Sequence, residues 1–269
     1  MPTCGVERRL PTGAQDAILP HLVLAACLLF CAACDQRGRP EVTVAAAANL
    51  TGVFQIIGPK FETSSGIHPI FSFGSTAQLT QQIENSAPYD VIAAADSAHV
   101  IQLEKRGLLL PGSRALYATG ILALWIPPGS KAVTSRLEDL TLPGVRTIAV
   151  AKPELAPYGQ AAVDTLRQLG IWERVKSKIV YAGNIGMAKQ YGSSNNADAV
   201  FTAYSLVQQS GGKVIPVEET LHQPIRQELG IVAASKRQDA AHKFVAFLLI
   251  GEGRDILSKS GYRVPPKPN

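Results

Sequence analysis

Five short stretches place small, neutral hydrogen-bonding residues where an expected strand gives way to an expected helix. They are Ala48-Asn49, Ser75-Thr76, Pro157-Tyr158-Gly159, Asn184-Ile185 and Thr202 to Ser205. The first turn of a helix leaves backbone N–H groups unpaired and carries about half a positive charge. Several such turns converging on one point hold an anion without any arginine or lysine. Asn49 directly precedes the first helical period and reads as an N-cap, and Ser75 followed by Gln78 matches a capping box. Pro157 suits a first helical position, and Gly159 lets the backbone approach closely. A single Ser or Asn before a helix is most often only a cap. Repetition at the ends of parallel strands, where α/β proteins place their ligand crevices, points to a site for an anion or small polar ligand.

Other chemistries find little material. The histidines, at 21, 68, 99, 222 and 242, form no HxxxH or HExxH spacing, and no GxSxG elbow or Walker loop occurs. A Ser–His–Asp site of an exported hydrolase, built from distant residues such as Ser75 with His222 and Asp96, is a remote alternative. Asp96, after the run DVIAAA, either faces the ligand as an acceptor or caps the following turn, the commoner role. Lys152 and Lys189 lie in or beside two of the five turns and read as solvated amines. No metal cation site and no cofactor are expected.

Composition narrows the class. The 269 residues are 46% hydrophobic and 17% charged, which suits a packed chain of one large or two medium domains. Aromatics at 6% give little from which to build a base-stacking surface. A formal charge of +5, from 26 basic and 21 acidic residues without a block of like charge, does not call for nucleic acid.

All four cysteines (Cys4, Cys27, Cys31, Cys34) precede residue 35, so neither a disulfide scaffold nor a zinc ribbon fits. Arg8 and Arg9 precede the uncharged run Leu22 to Ala33, which ends at Asp35, Arg37 and Arg39. A dozen residues span about 18 Å as a helix, short of a bilayer core of about 30 Å. The segment reads as an export signal over residues 1–33, with Cys34 in a lipobox-like CAAC as the acylated residue. Leu24-Ala-Ala-Cys27 and an ordinary export signal are the alternatives. Two or more acyl chains make a stable anchor, so the protein is expected outside the cytoplasm, touching the membrane only through its lipid.

Beyond the leader, strands are expected at Glu41 to Ala48, His68 to Phe73, Asp90 to Ala95, Leu116 to Ile126, Thr147 to Val150, Ala199 to Phe201 and Leu229 to Ala234. Helices are expected from Leu50 to Phe61, broken or kinked by Gly58-Pro59, and at Ala77 to Glu84, Gln160 to Leu169, Ala188 to Tyr191, Ala240 to Leu249 and Gly253 to Lys259. This alternation means βαβ units and parallel sheets.

The segments AAAANL (45–50), FGSTAQLTQQIENSAPYDVIAAAD (73–96), AKPELAPYGQAAVDTL (151–166) and NADAVFTAYSLV (196–207), with the closing helices to Gly261-Tyr262, resemble the periplasmic molybdate-binding proteins of ABC transporters. The resemblance covers nearly everything after Val42. It implies an α/β, two-lobe type II solute-binding fold, each lobe a mainly parallel sheet flanked by helices with the ligand cleft between. Lobe I would be 40–115 plus 226–269, and lobe II 116–225. The ligand implied is molybdate or tungstate, with sulfate or another small anion as the alternative. The partner implied is a membrane permease, and the working state a monomer. By position, Asn49 and Thr76 (or Ser75) would bind from lobe I, and the amides of Tyr158 and Ile185 from lobe II, with Thr202 or Tyr204 as a further contact. Thr76 stands where many members have serine, and its extra methyl narrows the site.

Overall fold

The chain separates into Met1–Arg39 and Pro40–Asn269. The computed structural model describes Met1 and residues 39–266; the expected leader 1–33 and the lipidation of Cys34 lie outside the described residues. Among these, no helix is long and apolar enough to cross a membrane.

The first strand, β1 (Glu41–Ala47), leads through a short 3-10 turn (Ala48–Leu50) into α1 (Thr51–Ser65), followed by β2 (His68–Gly74), α2 (Thr76–Glu84), β3 (Val91–Ala93) and α3 (Ala98–Lys105). The chain continues as β4 (Ala115–Gly120), β5 (Leu122–Ile126), β6 (Ile148–Ala151), α4 (Pro157–Gln168), α5 (Trp172–Val175), β7 (Ile179–Ala182), α6 (Ile185–Ser193), β8 (Ala199–Ala203), α7 (Tyr204–Val207) and β9 (Lys213–Pro216). It closes with β10 (Ile225–Ile231), α8 (Gln238–Leu249) and α9 (Glu252–Lys259).

Two five-stranded sheets result, in the orders β2-β1-β3-β10-β4 and β7-β6-β8-β5-β9. β1 pairs parallel with β2 and β3, and β6 parallel with β7 and β8. The fourth strand of each sheet, β10 or β5, is antiparallel to both neighbours, so four strands of five share one direction in each sheet. The expected single strand Leu116 to Ile126 is two strands in different sheets, parted at Gly120-Ile121. β9 to β10 carries the chain back.

Alternate residues of each strand face opposite helical layers. Val42, Val44 and Ala46 pack with Phe54, Ile57 and Phe61 of α1 and Phe244 and Leu248 of α8. Ala45 and Ile92 face Leu79, Ile83, Val100 and Leu103 of α2 and α3. In the second sheet, Leu124, Ile148, Val150 and Phe201 meet Ala161, Ala162 and Leu166 of α4, while Trp125, Ala149 and Val200 meet Ala188 of α6 and Val207 of α7.

α1 runs through Pro59 rather than ending there. Proline removes one helical donor, but the buried stripe Val53, Phe54, Ile57 and Phe61 holds the helix to the sheet. Bare Gly58 admits the Phe71 ring, since a Cβ there would lie 3.0 Å from its Cε2. Phe244 touches the rings of Phe54, Phe61 and Phe71 at centroid distances of 5.8, 5.1 and 6.0 Å. Phe244→Ala is therefore expected to cost about 3–5 kcal/mol, read as a lower urea midpoint with an unchanged m-value.

Candidate functional site

Four of the five turns singled out in the sequence meet at one small cavity. It is lined by Ala47, Ala48, Asn49, Gly74, Ser75, Thr76, Ala95, Ala156, Pro157, Tyr158, Asn184 and Ile185, and its volume is only ≈ 10 Å³. That is far below the range usual for organic ligands. Its walls come from the carboxyl ends of β1, β2 and β3 on one side and from the starts of α4 and α6 on the other. The two walls touch: Ala47, Ala48 and Ala95 share an apolar cluster with Ala156, Tyr158 and Ile185, and Ala77 N donates to Leu155 O at 3.3 Å.

Each helix start leaves a first-turn amide without a partner among the described residues. Ser75 caps α2, its Oγ accepting from Gln78 N while Gln78 Oε1 accepts from Ser75 N, the expected capping box. With Ala77 and Gln78 so engaged, the Thr76 N–H has no partner among the described residues. The buried Thr76 hydroxyl accepts from Ala95 N at 3.0 Å, which leaves its own proton to donate. Asn184 caps α6 through Oδ1, which accepts from Met187 N at 2.9 Å; Ile185 N–H, two positions earlier, stays unpaired among the described residues. Pro157 opens α4. Gly159 is confined by the backbone of Ala151, whose carbonyl carbon would stand 2.8 Å from a Cβ. That close approach brings the Tyr158 amide to the cavity wall.

Every residue around this cavity is neutral. Asp96 is not among them: its Oδ1 accepts from His99 N at 2.9 Å and its Oδ2 meets His99 Nδ1 at 2.8 Å, a cap on the start of α3. This bond holds the His99 pKa above its ordinary value. Lys152 and Lys189 also lie off the lining; partial burial pushes the Lys189 amine down. His222 meets its neighbour's carbonyl, Gln223 O, at 2.7 Å. No hydrogen bond among the described residues joins Ser75, His222 and Asp96. No group of three metal-ligating side chains occurs among the described residues.

Two expectations change. Thr202 is fully buried within β8, opposite Ala123, with its hydroxyl unpartnered, and does not line the cavity. Tyr204 begins α7 and also lies outside the lining. Asn49 does not cap α1. Its Nδ2 meets Gln227 Oε1 at 2.8 Å and Tyr262 Oη at 3.2 Å, because α1 starts two residues later, at Thr51, behind the 3-10 turn.

Behind the cavity lies a polar network that the turn pattern did not disclose. Gln227, on β10 and fully buried, donates from Nε2 to Tyr158 Oη at 2.9 Å and has Tyr117 Oη 2.9 Å from its Oε1. Tyr262 Oη donates to Asn49 O at 2.7 Å and accepts from Ser205 Oγ at 3.0 Å. Burial pushes the Tyr117 and Tyr158 phenols well above their ordinary pKa and Tyr262 up to about 12, so all three stay neutral. Gly120 makes room for them: a Cβ there would overlap the Tyr158 hydroxyl and stand 2.5 Å from Gln227 Nε2.

A fold of two sheets linked by two crossings, with a neutral donor-lined cavity at the strand ends, defines a ligand receptor, and comparison with known proteins gives its kin. Residues 42–263 match the model of the family described as bacterial extracellular solute-binding protein, and the chain belongs to that family. It is 37% identical over 246 residues to the molybdate-binding protein ModA of Azotobacter vinelandii, covering 90% of this chain and 95% of that one. The corresponding protein of Rhodobacter capsulatus is 32% identical, with coverages of 82% and 88%. The solved periplasmic molybdate-binding protein of A. vinelandii superimposes with a TM-score of 0.80 at 30% identity, over 83% of this chain and 99% of that one.

Gly120→Ala is expected to cost about 1–3 kcal/mol through overpacking of Tyr158 and Gln227. Gly144→Ala, where a Cβ meets nothing within 4 Å, should stay within about 0.5 kcal/mol. Urea unfolding of both variants checks the contrast.

Proposed function

We infer that this chain is the extracytoplasmic molybdate-binding component of an ABC transporter, capturing the anion and delivering it to a membrane permease. The single observation that carries the reading beyond kinship is the cavity itself. It is small, charge-free and bounded by unpaired first-turn amides from two sheets. We propose that Thr76, through its amide and its free hydroxyl proton, and the amides of Tyr158 and Ile185 hold the oxyanion, with Asn49 completing the set. Ser75 acts one step back, as the cap that leaves the Thr76 amide free. Thr202 has no place in this set.

A dianion loses its hydration on entering such a cavity and is held only if its oxygens accept enough hydrogen bonds. Donors without acceptors suit an anion that has no proton to give. An arginine would attract phosphate and sulfate as well, whereas amides fixed at helix starts select by the size of the tetrahedron. Tungstate, nearly the size of molybdate, is bound on this account and sulfate is excluded. The family is one of receptors, and we assign no catalysis.

We propose residues 40–115 with 226–269 as one lobe and 116–225 as the other; the two sheets support a two-lobe division, with the first crossing at Gly120-Ile121, since β4 pairs in the first sheet. Ligand contacts from both lobes favour closure around the anion. The leader reading adds a lipid anchor at Cys34, and we take the receptor to work as a monomer.

Thermal melting of the anion-stripped protein tests the assignment. Ligand at about 100 times its Kd adds ~2.7 kcal/mol, a rise of several degrees for a chain of this size. Molybdate and tungstate are expected to give that rise, and sulfate or phosphate at tenfold higher concentration none. An equal or larger rise with sulfate would move the protein to the sulfate reading. No rise with any anion would overturn both.

A further inference from the structure

Two features of the network around Asn49 do not balance, and together they identify the residue that aims a donor at the anion. A tyrosine hydroxyl has one proton to give, yet Tyr117 Oη stands 2.9 Å from each of two acceptors, Ala94 O and Gln227 Oε1. Asn49 Nδ2 is engaged by Gln227 Oε1 and Tyr262 Oη, while Asn49 Oδ1 is buried without a partner. A bare oxygen on a residue lining the cavity would repel an anion.

The oxygen and nitrogen of a carboxamide are nearly equal in size, and the surrounding hydrogen bonds decide which end is which. Turning both carboxamides end for end keeps every separation and removes both faults, and it gives up only the 3.2 Å bond from Asn49 Nδ2 to Tyr262 Oη, the longest in the network. Gln227 Nε2 then donates to Asn49 Oδ1 and Tyr117 Oη, Tyr117 gives its proton to Ala94 O, and Tyr158 gives its proton to Gln227 Oε1. Tyr262 continues to donate to Asn49 O. Asn49 Nδ2 now stands where the unpartnered oxygen stood, with a hydrogen to spare.

We propose that Gln227 is a positioning residue for the anion: its buried carboxamide turns the Asn49 amide so that Nδ2–H faces the cavity, and its other end ties that donor to Tyr158 on the opposite wall. The proposal rests on the oxyanion reading of the cavity. Gln227 lies 178 positions from Asn49 in the chain and does not line the cavity, so it acts only through its partners. Glutamine is needed at this place. Glutamate has no N–H for Asn49 Oδ1, draws Nδ2 back to itself and adds a charge that repels the dianion. Methionine fills a similar volume without hydrogen bonds.

The test is calorimetric titration of molybdate and sulfate into the wild-type protein, Gln227→Met, Gln227→Glu, Asn49→Ala and the double variant Asn49→Ala/Gln227→Met. Gln227→Met is expected to weaken molybdate about tenfold and Gln227→Glu about a hundredfold, with a lower molybdate-to-sulfate ratio in both. In the Asn49→Ala background, Gln227→Met should cost less than about threefold, because the donor it aims is gone. Unchanged affinity in the Gln227 variants, or the same loss in both backgrounds, would overturn the proposal. Failure of the wild-type protein to bind molybdate would instead overturn the reading beneath it. Should the Gln227 variants not fold, the Asn49 side-chain NH2 signal of the 15N-labelled wild-type protein, identified by its loss in Asn49→Ala, decides the matter. A shift on molybdate saturation supports the proposal, and none overturns it.

Discussion

An oxyanion with two negative charges gives up, on leaving water, a hydration free energy that no single hydrogen bond returns. A site without cations must therefore assemble several donors at once and keep them unpaired in the empty protein, against the general tendency of buried N–H groups to find partners. Helix starts meet this requirement because the geometry of the helix itself denies partners to the first amides. Most of the architecture follows. The parallel strands of each sheet end at the same edge, helices begin there, and the two sheets present those edges to each other across a cavity of only ≈ 10 Å³.

The residues around the donors protect their unpaired state. Ser75 and Asn184 spend their side-chain oxygens on the third amide of their helices, leaving the first amides unpaired among the described residues. Thr76 accepts from Ala95 N and so keeps a proton for donation. Gly159 and Gly120 yield space that a Cβ would take, the first for backbone approach and the second for the buried tyrosine and glutamine. Asp96, next to the lining residue Ala95, is occupied by His99. Gln227 belongs to the same scheme at one remove, holding an amide rather than the anion.

What the sequence disclosed was local. Capping patterns, a proline at a first helical position and a glycine near it are decided within a few residues, and Ser75-Thr76, Pro157-Tyr158 and Asn184-Ile185 all reached the cavity. What it concealed was set by distance in the chain. Gln227 sits between the charged Arg226 and Glu228 in a strand, where it reads as one more polar residue, and only the pairing of β10 with β3 and β4 brings it behind Asn49. The split at Gly120 was hidden because LYATGILALWI is apolar on both sides of the glycine, and hydropathy carries no mark of a change of sheet. Pro59 misled in the other direction: one missing helical bond weighs less than the aromatic face of α1 packed on β2 and α8. Thr202 has the right residue type at the end of a strand, but β8 is a central strand and its hydroxyl is sealed inside.

The central claim is that a dianion is held here by neutral donors alone. A crystal structure of the molybdate complex, with the anion located by the anomalous scattering of molybdenum, measures this directly. The account predicts molybdenum between Asn49, Thr76, Tyr158 and Ile185, with every oxygen contacted by an amide or hydroxyl donor. A lysine, arginine or histidine side chain, or a bound cation, within hydrogen-bonding distance of the anion would contradict it.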